Sequence, residues 1–371
     1  MSSIREAMFW NPCPDGRVAC TLCALDCKIA RGRRGACGVR VNVEGKLFTL
    51  VYGRLVARHV DPIEKKPLFH FFPGSLSYSI ATVGCNFRCL HCQNYEISQQ
   101  PKEKGVICAD TGNGAEAGGE NPEVLCLSLR EAGARIPGED VSPEEVVQAA
   151  LRSGCTSIAY TYTEPTIFFE FAYDTARLAH SRGLRNVFVT NGYIGKEALE
   201  AIAPYLDAAN IDLKGFRESA HKQMTGARVG PVMENIRRYK SLGIWVEVTT
   251  LVIPGHNDSD EELRQIAEFL VSVDRDIPWH VTQFYPTYRL LDRPRTPVPR
   301  LRRARQIGLE AGLHNVYEGN VPGEGGENTF CHQCQSLLIQ RYGFTLLANR
   351  VVGGRCPDCG TALPGVWQAA A

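Results

Sequence analysis

The sequence predicts an α/β fold: an open partial (β/α)6 barrel of the TIM type, with a small Cys-rich module before it and a zinc-ribbon-like module after it. Three observations predict this. From Ser77 onward, short β-forming runs alternate with helical runs, the pattern of a parallel sheet with right-handed crossovers. The helical runs carry recognisable start signals. Two of the three cysteine groups flank the alternating region. A flat doubly wound sheet is the second architecture that such alternation allows.

Residues 1–74 read as the N-terminal extension. Its first part is dominated by turns and cysteines, and KLFTLVYGRLVARHVDPIEKKPLFHFFPG reads as short strands and loops. Residues 75–322 are the expected barrel. Its strands are SYSIATV (77–83), SIAYTY (157–162), NVFVTN (186–191), AANIDL (208–213), WVEVTTLV (245–252) and HVTQFY (280–285). Ser142-Pro143-Glu144-Glu145 joins an N-cap, a proline at N1 and a capping-box glutamate. Ser259-Asp260-Glu261-Glu262 opens another helix, and Leu263, Ile266, Ala267 and Leu270 follow at i, i+3, i+4 and i+7. Pro231 opens a third, carrying Val232, Ile236 and Tyr239. The stretch 102–140 lacks periodicity and reads as a flexible surface insertion, with a substrate-gating lid as the alternative. Residues 323–371 form the C-terminal module, in which CHQC and CPDCG are separated by 21 residues rich in β-formers.

Composition narrows the function. Lys+Arg number 41 and Asp+Glu 40, so there is no electrostatic case for nucleic acid or an anionic membrane as the main partner. No apolar run reaches the ~18 residues of a membrane span. MSSIREAMFW lacks the apolar core of an export signal. A cytoplasmic location is therefore expected, and there the 15 cysteines read as metal ligands rather than disulfides. Cys13, Cys108, Cys126 and Cys155 fall outside the three groups and have no assigned role.

Cys85, Cys89 and Cys92 stand at C-x3-C-x2-C directly after the first barrel strand. A cubane iron–sulfur cluster has four irons and takes Cys thiolates as its usual ligands, so three thiolates leave one iron open for chemistry. The bland alternative is part of a structural zinc site, which the three-residue gap fits poorly. Cys331, Cys334, Cys356 and Cys359 form two C-x2-C knuckles, a zinc-ribbon or rubredoxin-like pattern that suits zinc or a mononuclear iron. Cys20, Cys23, Cys27 and Cys37 are less regular. A structural metal, a reactive thiol group and a second iron–sulfur cluster that feeds electrons inward all remain open there.

Barrel sites lie at the C-terminal ends of the strands, and side chains two apart share a face. Asn210, Asp212 and Lys214 therefore point one way, as do Tyr160, Tyr162 and Glu164. Thr190-Asn191-Gly192 ends the third strand. The bland readings are a self-satisfying Asp–Lys pair and a carboxylate at a helix N-terminus. His91 is expected only to shape its loop, and His59, His70 and His280 to be packed histidines. Glu247, Thr249, Gln283 and Tyr285 do not spell out a reaction.

At these residues the chain resembles a known family. GCNFRCLHCQN resembles the signature of the radical S-adenosylmethionine (SAM) superfamily. GCNFRCLHCQNYEIS, YTYTEPTIFFE, VTNGY, NIDLKGF and TLVIPGHND together resemble its pyruvate formate-lyase activating enzyme-like branch. CTLCALDC…GACGVR, VDPIEKKPLFHFFPGS and CPDCG…PGVW resemble the subgroup of AmmeMemoRadiSam system radical SAM enzymes.

The resemblance implies a [4Fe-4S] cluster on Cys85, Cys89 and Cys92, with SAM chelated by the open iron. It places Glu164 at the SAM amino group, and Thr190, Asn191, Asp212 and Lys214 around the methionine and ribose. Activating enzymes carry an aspartate where this chain has Val189, so the resemblance does not extend to a cation site built on it. The implied activity is reductive cleavage of SAM to a 5′-deoxyadenosyl radical, which takes hydrogen from an unknown substrate, a protein in the activating-enzyme reading. An external flavodoxin- or ferredoxin-like donor would supply the electron. Modification of a small molecule or nucleic acid is the alternative reading, and a non-catalytic metal-binding adaptor is the third.

Overall fold

The structure is a computed structural model and describes residues 4–103 and 136–367. Cys108, Cys126 and nearly all of the 102–140 insertion lie outside the described residues.

Eight strands form the central sheet: β1 (Ala57–Pro62), β2 (Leu76–Ala81), β3 (Ser157–Tyr160), β4 (Arg185–Thr190), β5 (Ala208–Asp212), β6 (Trp245–Val252), β7 (Trp279–Gln283) and β8 (Val316–Gly319). Their order across the sheet is the order in the chain. A doubly wound sheet would reverse direction at a switch point. The strictly sequential order makes this a singly wound barrel, left open between β1 and β8. Strands β2 to β8 are parallel, and β1 runs antiparallel to β2. All six predicted strands are present, and β1 and β8 extend the sheet at its two edges. β8 carries no strong strand signal because it is only VYEG.

Helices α1 (Pro143–Arg152), α2 (Phe169–Ser181), α3 (Lys196–Ile202), α4 (Glu218–Thr225), α5 (Gly230–Ser241), α6 (Asp260–Val273) and α7 (Val298–Glu310) link the parallel strands. The capping box of α1 forms as read: Ser142 Oγ accepts from Glu145 N at 3.2 Å, and the Glu145 carboxylate accepts from Ser142 N at 2.7 Å. Leu263, Ile266 and Leu270 of α6 are buried in one large core with Val246, Val248 and Ile211 of the sheet. That core is the layer between helices and strands.

The barrel interior is closed from below by residues 63–75. Ile63, Leu68 and Phe71 pack on Ala159, Val187 and Ala208, small inward residues that leave room for them. Each such buried side chain contributes about 1.5–3 kcal/mol. The Glu247 carboxylate holds this plug. It accepts from Phe69 N (3.0 Å), His70 N (2.8 Å), Trp245 Nε1 (3.1 Å) and His280 Nε2 (2.7 Å). His70 and His280 are thus packed histidines, as expected. The C-terminal module, an antiparallel sheet of Thr329–Phe330, Leu337–Tyr342 and Thr345–Asn349, seals the same end. Arg341 Nη2 donates to Phe69 O at 2.9 Å, and His70 Nδ1 donates to Pro364 O at 2.7 Å.

The N-terminal module sits at the opposite end. Ala24 N donates to Tyr193 O and Gly195 N to Leu22 O, which ties it to the exit of β4. The fully buried ion pair of Arg40 and Glu170, 2.8 Å apart, anchors it to α2. No helix among the described residues is long and apolar enough to cross a membrane.

Candidate active site

The loop after β2 carries Cys85, Cys89 and Cys92 over the C-terminal mouth of the barrel. Gly84 starts it with a left-handed φ of +101°, a conformation that favours glycine. Arg88 N and Leu90 N then donate to Thr225 O and Met224 O, so the end of α4 holds the loop as a strand partner would. Asn94 Nδ2 donates to Tyr162 O at 2.7 Å and closes the far side.

All three cysteines are free thiols. Phe87 N donates to Cys85 Sγ at 3.4 Å, and Cys92 Sγ lies 3.1 Å from Ser98 Oγ. Burial pushes the Cys85 thiol up, and pushes that of Cys89 to about 11. Two lysines oppose the burial. Lys102 acts on Cys85 and Cys89, and Lys214 acts on Cys89. Lys102 Nζ is held between Phe87 O (2.7 Å) and Gln99 Oε1 (3.3 Å).

The residues fit a cluster. Its thiolates carry negative charge, and two lysines stand ready for it. His91 is buried between Cys89 and Cys92, and neither ring nitrogen has a hydrogen-bond partner in the protein. Burial holds its imidazole well below the usual range, so it is neutral. Two orphaned nitrogens beside three unbridged thiols mark a place where the protein expects another group.

The five remaining predicted residues divide into two sets around the loop. Glu164, Thr190 and Asn191 form a lock at the Cys85 end. Glu164 Oε1 accepts from Thr166 N (3.1 Å), Thr166 Oγ1 (2.6 Å) and Thr190 Oγ1 (2.7 Å), and its Oε2 accepts from Asn191 N (2.8 Å). Asn191 Nδ2 donates to Asn86 Oδ1 at 2.7 Å. Burial raises the Glu164 carboxyl, although these donors favour its ionised form. Asp212 and Lys214 form the second set, 2.7 Å apart and partly open to solvent. Burial alone would lower Lys214, but Asp212 and the thiols of Cys89 and Cys92 outweigh it and hold the ammonium above its ordinary range.

One expectation is corrected. Tyr160 does not share the face of Glu164. It points outward, donates to Asn186 Oδ1 at 3.1 Å and packs edge-on against Phe188. The alternation fails because Tyr162 adopts a left-handed φ of +62°, which turns its hydroxyl to Asp61. Asn210 does face inward, but it lies one layer below Asp212, donating to Pro67 O of the plug and accepting from Thr249.

Lys102, Asn86 and Gln99 were missed by sequence reasoning. Asn86 had a signal in its place next to Cys85. Lys102 had none, since only the fold brings it under the loop. The C-terminal knuckles close as read. Cys331 and Cys359 Sγ are 3.6 Å apart, as are those of Cys334 and Cys356. A tetrahedral ion with metal–sulfur bonds of ~2.3 Å needs edges of about 3.8 Å. The four thiols fit a single closed ion such as zinc.

Comparison with known proteins agrees with this site. The model of the radical SAM superfamily matches residues 79–270. An uncharacterised protein of Methanocaldococcus jannaschii is 43% identical over 360 residues, spanning 96% of this chain and 98% of that one. The 4-hydroxyphenylacetate decarboxylase activating enzyme of Clostridioides difficile is 26% identical over 276 residues, 69% of this chain and 84% of that one. The isethionate sulfite-lyase activating enzyme of Nitratidesulfovibrio vulgaris is 27% identical over 219 residues, 50% and 71% of the two chains. The chain belongs to the radical SAM superfamily, and over much of its length it is similar to activating enzymes of that kind.

Proposed function

We propose that this radical SAM enzyme cleaves SAM reductively at the Cys85–Cys89–Cys92 loop and abstracts a hydrogen atom from another protein. The observation that carries the reading is the loop itself: three free thiols, two lysines whose charge favours their thiolates, and a buried His91 whose ring nitrogens have no hydrogen-bond partner. Cys85, Cys89 and Cys92 would hold a [4Fe-4S] cluster, which would supply one-electron reduction of the SAM sulfonium and a coordination site for SAM.

The chain's own residues orient and insulate. Lys102 and Lys214 compensate the charge of the thiolates. Asp212 and Lys214 present opposite charges at the rim, suited to the amino and carboxylate groups of a bound amino acid. The Glu164 lock fixes the end of β4, and through Asn86 the Cys85 side of the loop. The plug and the C-terminal module shut the lower end, so substrate arrives at the upper mouth and water is excluded from below.

A protein substrate is favoured by kinship with proteins named as activating enzymes, one of a 4-hydroxyphenylacetate decarboxylase and one of an isethionate sulfite-lyase. An external one-electron donor of the flavodoxin or ferredoxin kind completes the reaction. Electron paramagnetic resonance of the dithionite-reduced protein tests SAM binding at the open iron. The spectrum should change on addition of SAM, and an unchanged spectrum would refute the reading.

A further inference from the structure

The two flanking cysteine groups differ in a way their sequence spacing does not show. Among the described residues, only Cys331, Cys334, Cys356 and Cys359 bring three or more ligand atoms of Cys, His, Asp or Glu all within 4.8 Å of one another. Cys20, Cys23, Cys27 and Cys37 do not reach that spacing, yet all four line one cavity. Cys20 and Cys27 stand opposite each other on paired antiparallel strands, so they leave the sheet on the same face. Cys37 is buried on the same cavity, and all four are free thiols.

Four thiols around a gap too wide for one ion describe the ligands of a polynuclear centre. In a cubane each thiolate binds its own iron at a separate corner, so the sulfurs stand farther apart than around zinc. The walls agree. Leu22, Ile29 and Ile167 make the cavity apolar, and buried Arg40 lies on it. Backbone N–H groups of Leu22, Leu25, Ala36 and Val39 favour the thiolates of Cys20, Cys23, Cys27 and Cys37 in turn, against the burial that raises each thiol. Donors near sulfur stabilise thiolate clusters and set their potentials. Gly35 also lines the cavity, and a Cβ there would come within 3.1 Å of Ile29 Cδ1 and 3.9 Å of Cys27 Sγ.

Position adds to the argument. A Cβ on Gly84, the residue before Cys85, would lie 3.1 Å from the carbonyl oxygen of Cys37. Lys102 acts on Cys85 and, more weakly, on Cys37, so one half-buried ammonium reaches both groups. The N-terminal cysteines are therefore packed directly against the catalytic loop. The C-terminal knuckles belong to the module that seals the other end of the barrel.

We propose that Cys20, Cys23, Cys27 and Cys37 hold a second [4Fe-4S] cluster, beside the one on the catalytic loop. This rests on the radical SAM reading only for its neighbour; the second site stands on its own four ligands.

The test is inorganic sulfide per full-length chain after anaerobic reconstitution with iron and sulfide, since neither zinc nor mononuclear iron in the C-terminal knuckles contributes any. Wild type should carry about eight sulfides and C85A/C89A/C92A about four. C20S/C23S/C27S/C37S should also fall to half. A trio variant that binds zinc and no sulfide overturns the proposal, whether or not the quadruple variant folds. A folded quadruple variant that keeps all the wild-type sulfide overturns it while leaving the proposed function intact. A trio variant that keeps all its sulfide strikes the proposed function and not this site.

Discussion

Glu164 accepts the backbone N–H of Asn191 at 2.8 Å, and Asn191 hands the contact on to Asn86, the residue after Cys85. A carboxylate at the start of one helix thereby sets the position of the loop that follows the neighbouring strand. In Glu164→Gln one acceptor oxygen becomes an amide that must face a donor. That mismatch should cost about 1–3 kcal/mol. Thermal melting should show a clear loss, together with faster loss of iron from the reconstituted protein. An unchanged melting temperature would mean that the lock holds nothing.

Lys214 is the cation shared by Asp212, Cys89 and Cys92. Lys214→Met removes it and leaves Asp212 unpaired at the rim. SAM affinity, measured by equilibrium dialysis, should drop at least about tenfold, which corresponds to ~1.4 kcal/mol. Affinity equal to wild type would remove Lys214 from the SAM site.

Gly84→Ala should be costly and Gly154→Ala mild. At Gly84 a Cβ would lie 2.8 Å from Val39 Cγ1 with φ at +101°, whereas at Gly154 nothing lies within 4 Å. Left-handed strain costs about 1–3 kcal/mol at either position, and the clash adds to it only at Gly84. Urea unfolding of the two variants reads the difference. Equal losses would contradict the close packing of the N-terminal module on the loop.

Acid should weaken the lower seal of the barrel. Burial first, opposed by nearby Glu247, lowers the His70 imidazole to about 4. His280, Tyr317 and Arg341 also face it. The neutral ring donates to Pro364 O and accepts from Tyr317. A depressed folded value means stability that is complete above about pH 6.5 and lost as pH falls towards 4, by roughly 3 kcal/mol. The stability advantage of wild type over His70→Gln should shrink across that window in denaturant unfolding. A constant difference would show that His70 does not titrate there.

Much of the fold was legible because its signals are local. The six inner strands are short β-forming runs bounded by turns, and Ser142 and Glu145 announce α1 directly. β8 was not legible, since VYEG becomes a strand only by pairing with β7. The alternation rule placed Asp212 and Lys214 correctly and misplaced Tyr160, because a single left-handed residue at Tyr162 breaks the period of two. Lys102 and the contact of Gly84 with Cys37 depend on how distant segments pack, and spacing carries no trace of them. The same holds for the two flanking cysteine groups: only their sulfur separations tell a closed single-ion site from a wider nest.

The most direct measurement is 5′-deoxyadenosine formed by the anaerobically reconstituted chain with SAM and dithionite, beside a Cys89→Ala control treated identically. Wild type should form it well above the control, because Cys89 is a buried thiol of the loop on which both lysines act. Wild-type product no higher than that of Cys89→Ala, with the cluster shown to be present, would contradict radical SAM cleavage at this loop.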